Sequence, residues 1–257
     1  MNAPHVWDFS FPEGGGVICF VEFEILYIKT ENYRSIYAIG DIHGCSRGLK
    51  GLLDYIQPNS DDLVITLGDY IDRGEDSRGV IEMLRNLAKT TNLIGIRGNH
   101  EQMLLNVLDG SMKAKPWLEY GGKQTLASYG KSQAKNFLPQ EHLEFLQCLT
   151  DYVETEAFIL THASYEPNLP FDQQSPQLLR WEHLQSAIPA PHMSGKTVVV
   201  GHTPNFEGEV LDLGHLICLD TYCHGGGWLS VMELRSRAVW QFSQWGKRRN
   251  QGGFLAR

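Results

Sequence analysis

Three short segments bring acids, amides and imidazoles together beside glycines: Gly40-Asp41-Ile42-His43-Gly44, Gly68-Asp69-Tyr70-Ile71-Asp72-Arg73-Gly74 and Gly98-Asn99-His100-Glu101. Two later ones, Thr161-His162-Ala163 and Gly201-His202-Thr203-Pro204, add further histidines. Carboxylate, carboxamide and imidazole together suit divalent metals such as Mn, Fe or Zn. No cysteine stands in these segments, which argues against a structural zinc site. One Asp-x-His pair alone is weak evidence. Five such groups, each closing an apolar run, point to a common metal-binding rim.

Those runs are the elements that must position the groups. Ile36-Tyr37-Ala38-Ile39, Leu63-Val64-Ile65-Thr66-Leu67 and Leu93-Ile94-Gly95-Ile96 read as buried strands. Between them, Leu49, Leu52, Leu53 and Ile56, then Val80, Ile81, Leu84 and Leu87, have helical spacing. The result is two consecutive βαβ units, which predict parallel strands with right-handed crossovers. In an open α/β sheet, ligands collect beyond the carboxyl ends of the strands, where these motifs fall. Residues 100–150 read as a small helical insert. Further strands are expected at Ala157–Thr161, Thr197–Val200, Leu216–Leu219, Trp228–Leu234 and Ala238–Phe242, forming a second sheet packed on the first. Residues 1–34, with a strand-like stretch from Val17 to Ile28, read as an N-terminal extension. Residues 35–244 form the main domain, and 245–257 a polar, basic tail.

In this order and spacing the five motifs resemble those of calcineurin-like metallophosphoesterases, most closely the phosphoprotein phosphatase branch in its bacterial and phage form. The resemblance runs from Ile36 to Leu234. It implies an α/β fold, a two-sheet αββα sandwich, and two divalent metal ions, Mn first and Fe or Zn as alternatives. By similarity Asp41 and His43 bind one metal, Asp69 bridges both, and Asn99, His162 and His202 bind the second. A water activated between the metals attacks phosphorus in line. His100 resembles the family's general acid, with Asp72 fixing its tautomer. Arg73 and Asn99 hold phosphate oxygens, the former through its fork of donors. Arg180, the sole arginine between His162 and His202, is the candidate second phosphate arginine. It departs from the family's pattern, because Trp181 follows it where a tryptophan ordinarily precedes. The activity implied is hydrolysis of phosphoserine and phosphothreonine in proteins or peptides. A diadenosine tetraphosphatase or other nucleotide phosphohydrolase of the same fold is the rival, and a non-catalytic scaffold is the third reading.

The bulk numbers fit this picture. The 257 residues carry a formal net charge of -8, with 42% hydrophobic and 20% charged residues, as in a soluble globular protein. No basic footprint for nucleic acid is present. The apolar stretch Val17–Val21 is too short for a membrane span, so no membrane partner is expected. Five scattered cysteines without a CxxC pair read as reduced thiols in a cytoplasmic setting. His5, His142, His183, His192 and His215 match no motif and read as surface or satisfied core histidines. The tryptophans read as packing residues, Glu101 as a partner of the first helical turn, and Arg97 as the partner of a neighbouring acid. Cys45 adjoins the first motif and is a candidate for thiol oxidation. In Asp220-Thr221-Tyr222-Cys223-His224-Gly225-Gly226-Gly227 the two readings are a sharp turn and a rim loop that brings Tyr222 and His224 to the substrate.

Overall fold

A computed structural model describes residues 16–17 and 27–250. The first sheet contains β1 (Gly16–Val17), β2 (Ile36–Ile39), β3 (Leu63–Thr66) and β4 (Asn92–Gly95). The second contains β5 (Tyr152–Glu154), β6 (Phe158–Thr161), β7 (Thr197–Val200), β8 (Leu211–Asp212) and β9 (Leu216–Cys218). The chain then returns to the first sheet with β10 (Asp220–Thr221), β11 (Trp228–Glu233) and β12 (Val239–Ser243), so the last two strands expected in the second sheet belong to the first, where β11 pairs with β2. The strand orders are β1-β4-β3-β2-β11-β10, with β12 on β11, and β5-β6-β7-β9-β8. As the two βαβ units require, β2, β3 and β4 are parallel, in the register Ile36↔Leu63↔Asn92. The strands β6, β7 and β9 are parallel as well.

The period-two alternation of each strand explains how the layers stack. Ile36, Ala38, Leu63, Ile65 and Ile94 on the first sheet meet Val153, Leu160, Val199 and Ile217 on the second in one buried core. The opposite face of the first sheet packs on helices α1 (Ser46–Ile56), α2 (Ser77–Leu87) and α3 (Asn99–Leu108) through Ile39, Val64, Leu49, Leu52, Val80, Ile81 and Leu104. Helices α4 (Ala114–Trp117), α5 (Lys123–Ser128) and α6 (Gln140–Gln147) form the expected insert and extend that layer through Trp117, Leu126 and Phe145. The outer face of the second sheet is covered by α7 (Pro176–Trp181) and its flanking loops, through Leu179, Leu184 and Phe171. The architecture is thus the αββα sandwich the motifs imply.

Most of residues 1–34, the extension read from the sequence, lies outside the described residues. Within it, β1 pairs in parallel with β4. Ile28 is buried between the sheets, with its N–H on the Glu154 carbonyl at 2.8 Å. The expectation of five reduced thiols needs correction: Cys148 is in a disulfide, whereas Cys45, Cys218 and Cys223 are free and buried. Among the described residues no helix is long and apolar enough to cross a membrane.

Candidate metal centre

The two sheets deliver their polar residues to one rim. Asp41 and His43 follow β2, Asp69 follows β3, and Asn99 and His100 open α3 after β4. His162 follows β6 and His202 follows β7. All seven side chains are buried. Two groups of metal-ligating atoms form there, His43–Asp69–His100 and Asp69–His162–His202, with Asp69 common to both. The Asp69 carboxylate lies 3.3 Å from His43 Nε2 on one side and 3.4 Å from His162 Nε2 on the other.

Each of the three imidazoles expected to hold metal spends one nitrogen on a backbone carbonyl. His43 Nδ1–H donates to Ile71 at 2.9 Å, His162 Nδ1–H to Leu67 at 2.7 Å and His202 Nε2–H to Trp181 at 3.0 Å. A carbonyl only accepts, so these bonds fix the tautomers and leave His43 Nε2, His162 Nε2 and His202 Nδ1 with bare lone pairs. His162 Nε2 then faces His202 Nδ1 and the Asn99 Oδ1 oxygen, each at 3.2 Å. Burial lowers the pKa of His162, and with the His162 ring nearby it lowers that of His202 to about 2, so both rings are neutral. Lone pairs that converge without a proton between them fit a cation. The donor set therefore fits a divalent metal.

Asp41 sits differently from the other expected ligands. Its carboxylate accepts the His202 backbone N–H at 3.1 and 3.0 Å. Burial, then the Asp220 and Asp69 carboxylates, raises its pKa well above the ordinary value. Burial also raises the pKa of Asp220 to about 7. Acids buried together in this way either take up a proton or meet a positive charge. Asp69 is the exception: burial alone would raise its pKa, but positive charge at His162, His100 and His43 favours its charged form and holds it below the usual range, as a cation seated among them would.

Glycine makes the crowding possible. A Cβ on Gly98 would strike the Asp69 carboxylate, and one on Gly201 would strike that of Asp41. His43, Asp69, Asp72, Arg73 and His202 all adopt left-handed backbone, with φ of 43°, 51°, 69°, 66° and 62°. Each costs on the order of 1–2 kcal/mol outside glycine. Such strain persists where surrounding structure over-determines it, as at functional sites.

His100 is held differently from the three anchored rings. Its Nδ1 bonds Asp72 Oδ2 at 2.7 Å. Asp72 is in turn fixed by the Trp117 indole N–H at 2.9 Å and the Thr125 hydroxyl at 2.6 Å, both from the helical insert. The other nitrogen, Nε2, is buried without a hydrogen-bond partner and lies 3.9 Å from Asp69. Burial opposes protonation of this ring, but Asp69 and Asp72 prevail and raise its pKa above the ordinary value. An anchored, proton-holding imidazole with one idle nitrogen is arranged to deliver a proton.

Arg73 reaches across the rim, with Nη1 3.3 Å from His43 Nε2 and 3.4 Å from His224 Nε2. The glycine-rich segment is a sharp turn that also carries His224 to the rim. Cys223–Gly225 is a tight turn between β10 and β11, and it swings His224 to 4.9 Å from the His43 ring. Arg180 is close enough to His162 to weigh against its protonation, but its guanidinium pairs with Asp151, Nε to Oδ1 at 2.6 Å.

Several residues do more than their types suggest. Glu101 is fully buried, and its carboxylate accepts the N–H groups of Asp69 at 2.9 Å, Tyr70 at 2.8 Å, Ile71 at 3.3 Å and Gly98 at 3.0 Å. It caps α3 as expected, but it also clamps the loop that carries Asp69. Burial, then the Asp69 charge, raises its pKa to about 8. Arg97 does not pair with an acid; it donates to the carbonyls of Gln147 and Leu149 at 3.0 Å. The exposed His183 ring stacks on His202, with centroids 4.1 Å apart. Trp117 packs and also anchors Asp72, whereas Trp245 is exposed. Cys45 is buried, its thiol against the His43 carbonyl at 3.5 Å. His142 and His192 are satisfied core histidines, bonded to Tyr129 and to Ser194 and Leu169; His5 lies outside the described residues. Sequence reasoning passes over Asp220 as part of a loop. The available signal is close to the one that exposes Asp41 and Asp69: an acid at the end of an apolar run, here without the intervening glycine.

Comparison with known proteins agrees with this rim. Residues 34–229 match the family model of the calcineurin-like phosphoesterases. The chain belongs to that family. As a calcineurin-like phosphoesterase it is a phosphoester hydrolase, with His and Asp groups placed to bind metal. It is 28% identical over 215 residues to serine/threonine-protein phosphatase 1 of Salmonella typhimurium, covering 81% of this chain and 95% of that protein. It is 45% identical over 78 residues to the symmetrical bis(5'-nucleosyl)-tetraphosphatase of Erwinia tasmaniensis, covering 30% of this chain and 27% of that protein. Among solved structures, a candidate diadenosine tetraphosphatase shares the fold with a TM-score of 0.65 at 20% identity, covering 88% of this chain and 97% of that one.

Proposed function

We propose that this phosphoesterase is a phosphoprotein phosphatase that hydrolyses phosphoserine and phosphothreonine monoesters. The observation that carries the chemistry is His100, fixed through one nitrogen on Asp72 and idle at the other, beside the Asp69 carboxylate shared by two ligand groups. Asp41, His43 and Asp69 would hold one divalent ion, and Asp69, Asn99, His162 and His202 a second, manganese being the first choice. When bound, the ions supply Lewis acidity and lower the pKa of water for attack on phosphorus. The remaining work falls to the chain. Arg73 turns its donors from the neighbouring rings to the phosphate oxygens. Arg180, once released from Asp151, offers a second guanidinium. His100 Nε2 gives its proton to the departing serine or threonine oxygen, while Asp72 retains the bond at Nδ1 and stabilises the imidazolium beforehand.

The extent of likeness favours a protein substrate: the alignment spans 95% of the Salmonella phosphatase against 27% of the tetraphosphatase. The second reading, a dinucleoside polyphosphatase, draws on the 45% identity within that shorter match and on the neighbouring fold. Manganese-loaded protein incubated with a phosphoserine peptide and with diadenosine tetraphosphate separates them. The expected result is faster phosphate release from the peptide, with two metal ions per chain. Faster cleavage of the dinucleotide would reverse the ranking.

A further inference from the structure

A line of aromatic rings leads from the metal rim to the surface. His43 meets His224 at 4.9 Å, His224 meets Tyr222 at 4.9 Å, and Tyr222 meets Phe206 at 4.8 Å, each pair edge to face. Tyr222 is held in left-handed backbone at φ 63°, with its N–H on the Asp220 carboxylate at 3.0 Å, so the middle of the line is fixed. Phe206 at its outer end is 66% exposed. It borders a cavity of about 380 Å³ that also touches Leu184, Pro204 and Leu211, directly after His202 in the chain. Among the described residues that line it, Glu207 is the only charged one. Thr203 ties the far wall to the site, since its hydroxyl accepts the Leu184 N–H at 3.0 Å.

An apolar hollow joined to a phosphate-cleaving centre by this line of rings suits an apolar group a few residues from the phosphoester. A nucleoside polyphosphate would run further phosphates along this track, where no lysine or arginine lines the hollow and Glu207 repels them. A peptide side chain meets neither obstacle. We propose that the Phe206 hollow is the subsite for an apolar side chain of the phosphopeptide, which makes Phe206 a specificity residue. This rests on the phosphoprotein reading. An extended peptide advances roughly 3.3–3.6 Å per residue. Three ring contacts therefore place the occupant about two to four residues from the phosphorylated one.

The test walks a leucine through a serine-rich phosphoserine peptide, up to about four positions to either side. With the manganese-loaded protein, leucine at one position on one side should raise kcat/KM about ten- to a hundredfold over serine, the value of burying such a side chain. Phe206→Ala should bring that preference to within about threefold of unity, and Phe206→Tyr should keep most of it, since an aromatic ring suffices. Phe206 is exposed, so these changes leave the core untouched. Peptides all cleaved at one rate, or a leucine preference that survives Phe206→Ala, overturn the subsite while the phosphoprotein reading stands. Peptides left intact while p-nitrophenyl phosphate or diadenosine tetraphosphate is cleaved overturn that reading and the subsite with it. Loss of dinucleotide cleavage alone in Phe206→Ala assigns the hollow to a base and refutes the proposal.

Discussion

The two sheets hold their halves of the site in different ways. On the first, His43 is held by the Ile71 carbonyl, but the acid and the bridging loop are fixed by other side chains: His100 by Asp72, Asp72 by Trp117 and Thr125, and the Asp69 loop by Glu101. On the second, the anchoring hydrogen bonds of His162 and His202 go to backbone carbonyls, those of Leu67 and Trp181. The first arrangement sets protonation and the position of an acid. The second strips imidazoles to one lone pair and aims them at a cation. One side of the rim combines an acid with ligands, the other offers ligands only, and Asp69 belongs to both.

The strongest test of that division is Asp69→Asn. Both ligand groups lose their shared oxygen, so metal content by plasma emission should fall toward zero and phosphate release with it. A variant that keeps a full metal complement and turns over would end the idea of a shared carboxylate. Next comes His100→Asn. Turnover should drop roughly 10²–10⁴-fold, the usual worth of a positioned acid, while metal content holds; loss of metal as well would make His100 a ligand. The complementary change on the other rim, His202→Ala, should lower metal content by one ion per chain, and excess manganese should restore part of the activity. If metal content stayed whole, the coordination role of the second rim would be wrong. The smallest effect belongs to Trp117→Phe, which removes one donor from Asp72 without emptying the core. Activity should fall about tenfold, the low end for an outer-shell partner, with KM little changed. An unchanged rate would show that Thr125 suffices to hold Asp72.

Much of this is legible in the sequence. Asp41, His43, Asp69, Asn99, His162 and His202 each close an apolar run, and a strand that must be buried has to stop where polar residues begin. The partnership of Asp72 and His100 also follows from the resemblance of the motifs. Other features left no trace. Glu101 reads as a helix-start carboxylate, since nothing in its neighbours says that the backbone of residues 69–71 lies against it. His183 has no motif, yet it covers His202. The Arg97 guanidinium found carbonyls where an acid was expected, because the end of α6 reaches it before any carboxylate does.

The sequence alone determined the order of strands and helices, the residues at their ends and the chemistry those residues offer. These depend on local periodicity and side-chain type, which are written residue by residue. Only the tertiary structure decided which nitrogen of each histidine faces inward, which carboxylates crowd one another and where an apolar hollow opens beside the rim. Every residue but its side chain looks alike from the backbone, so a carbonyl such as Leu67 or Trp181 becomes an anchor solely through where packing sets it down.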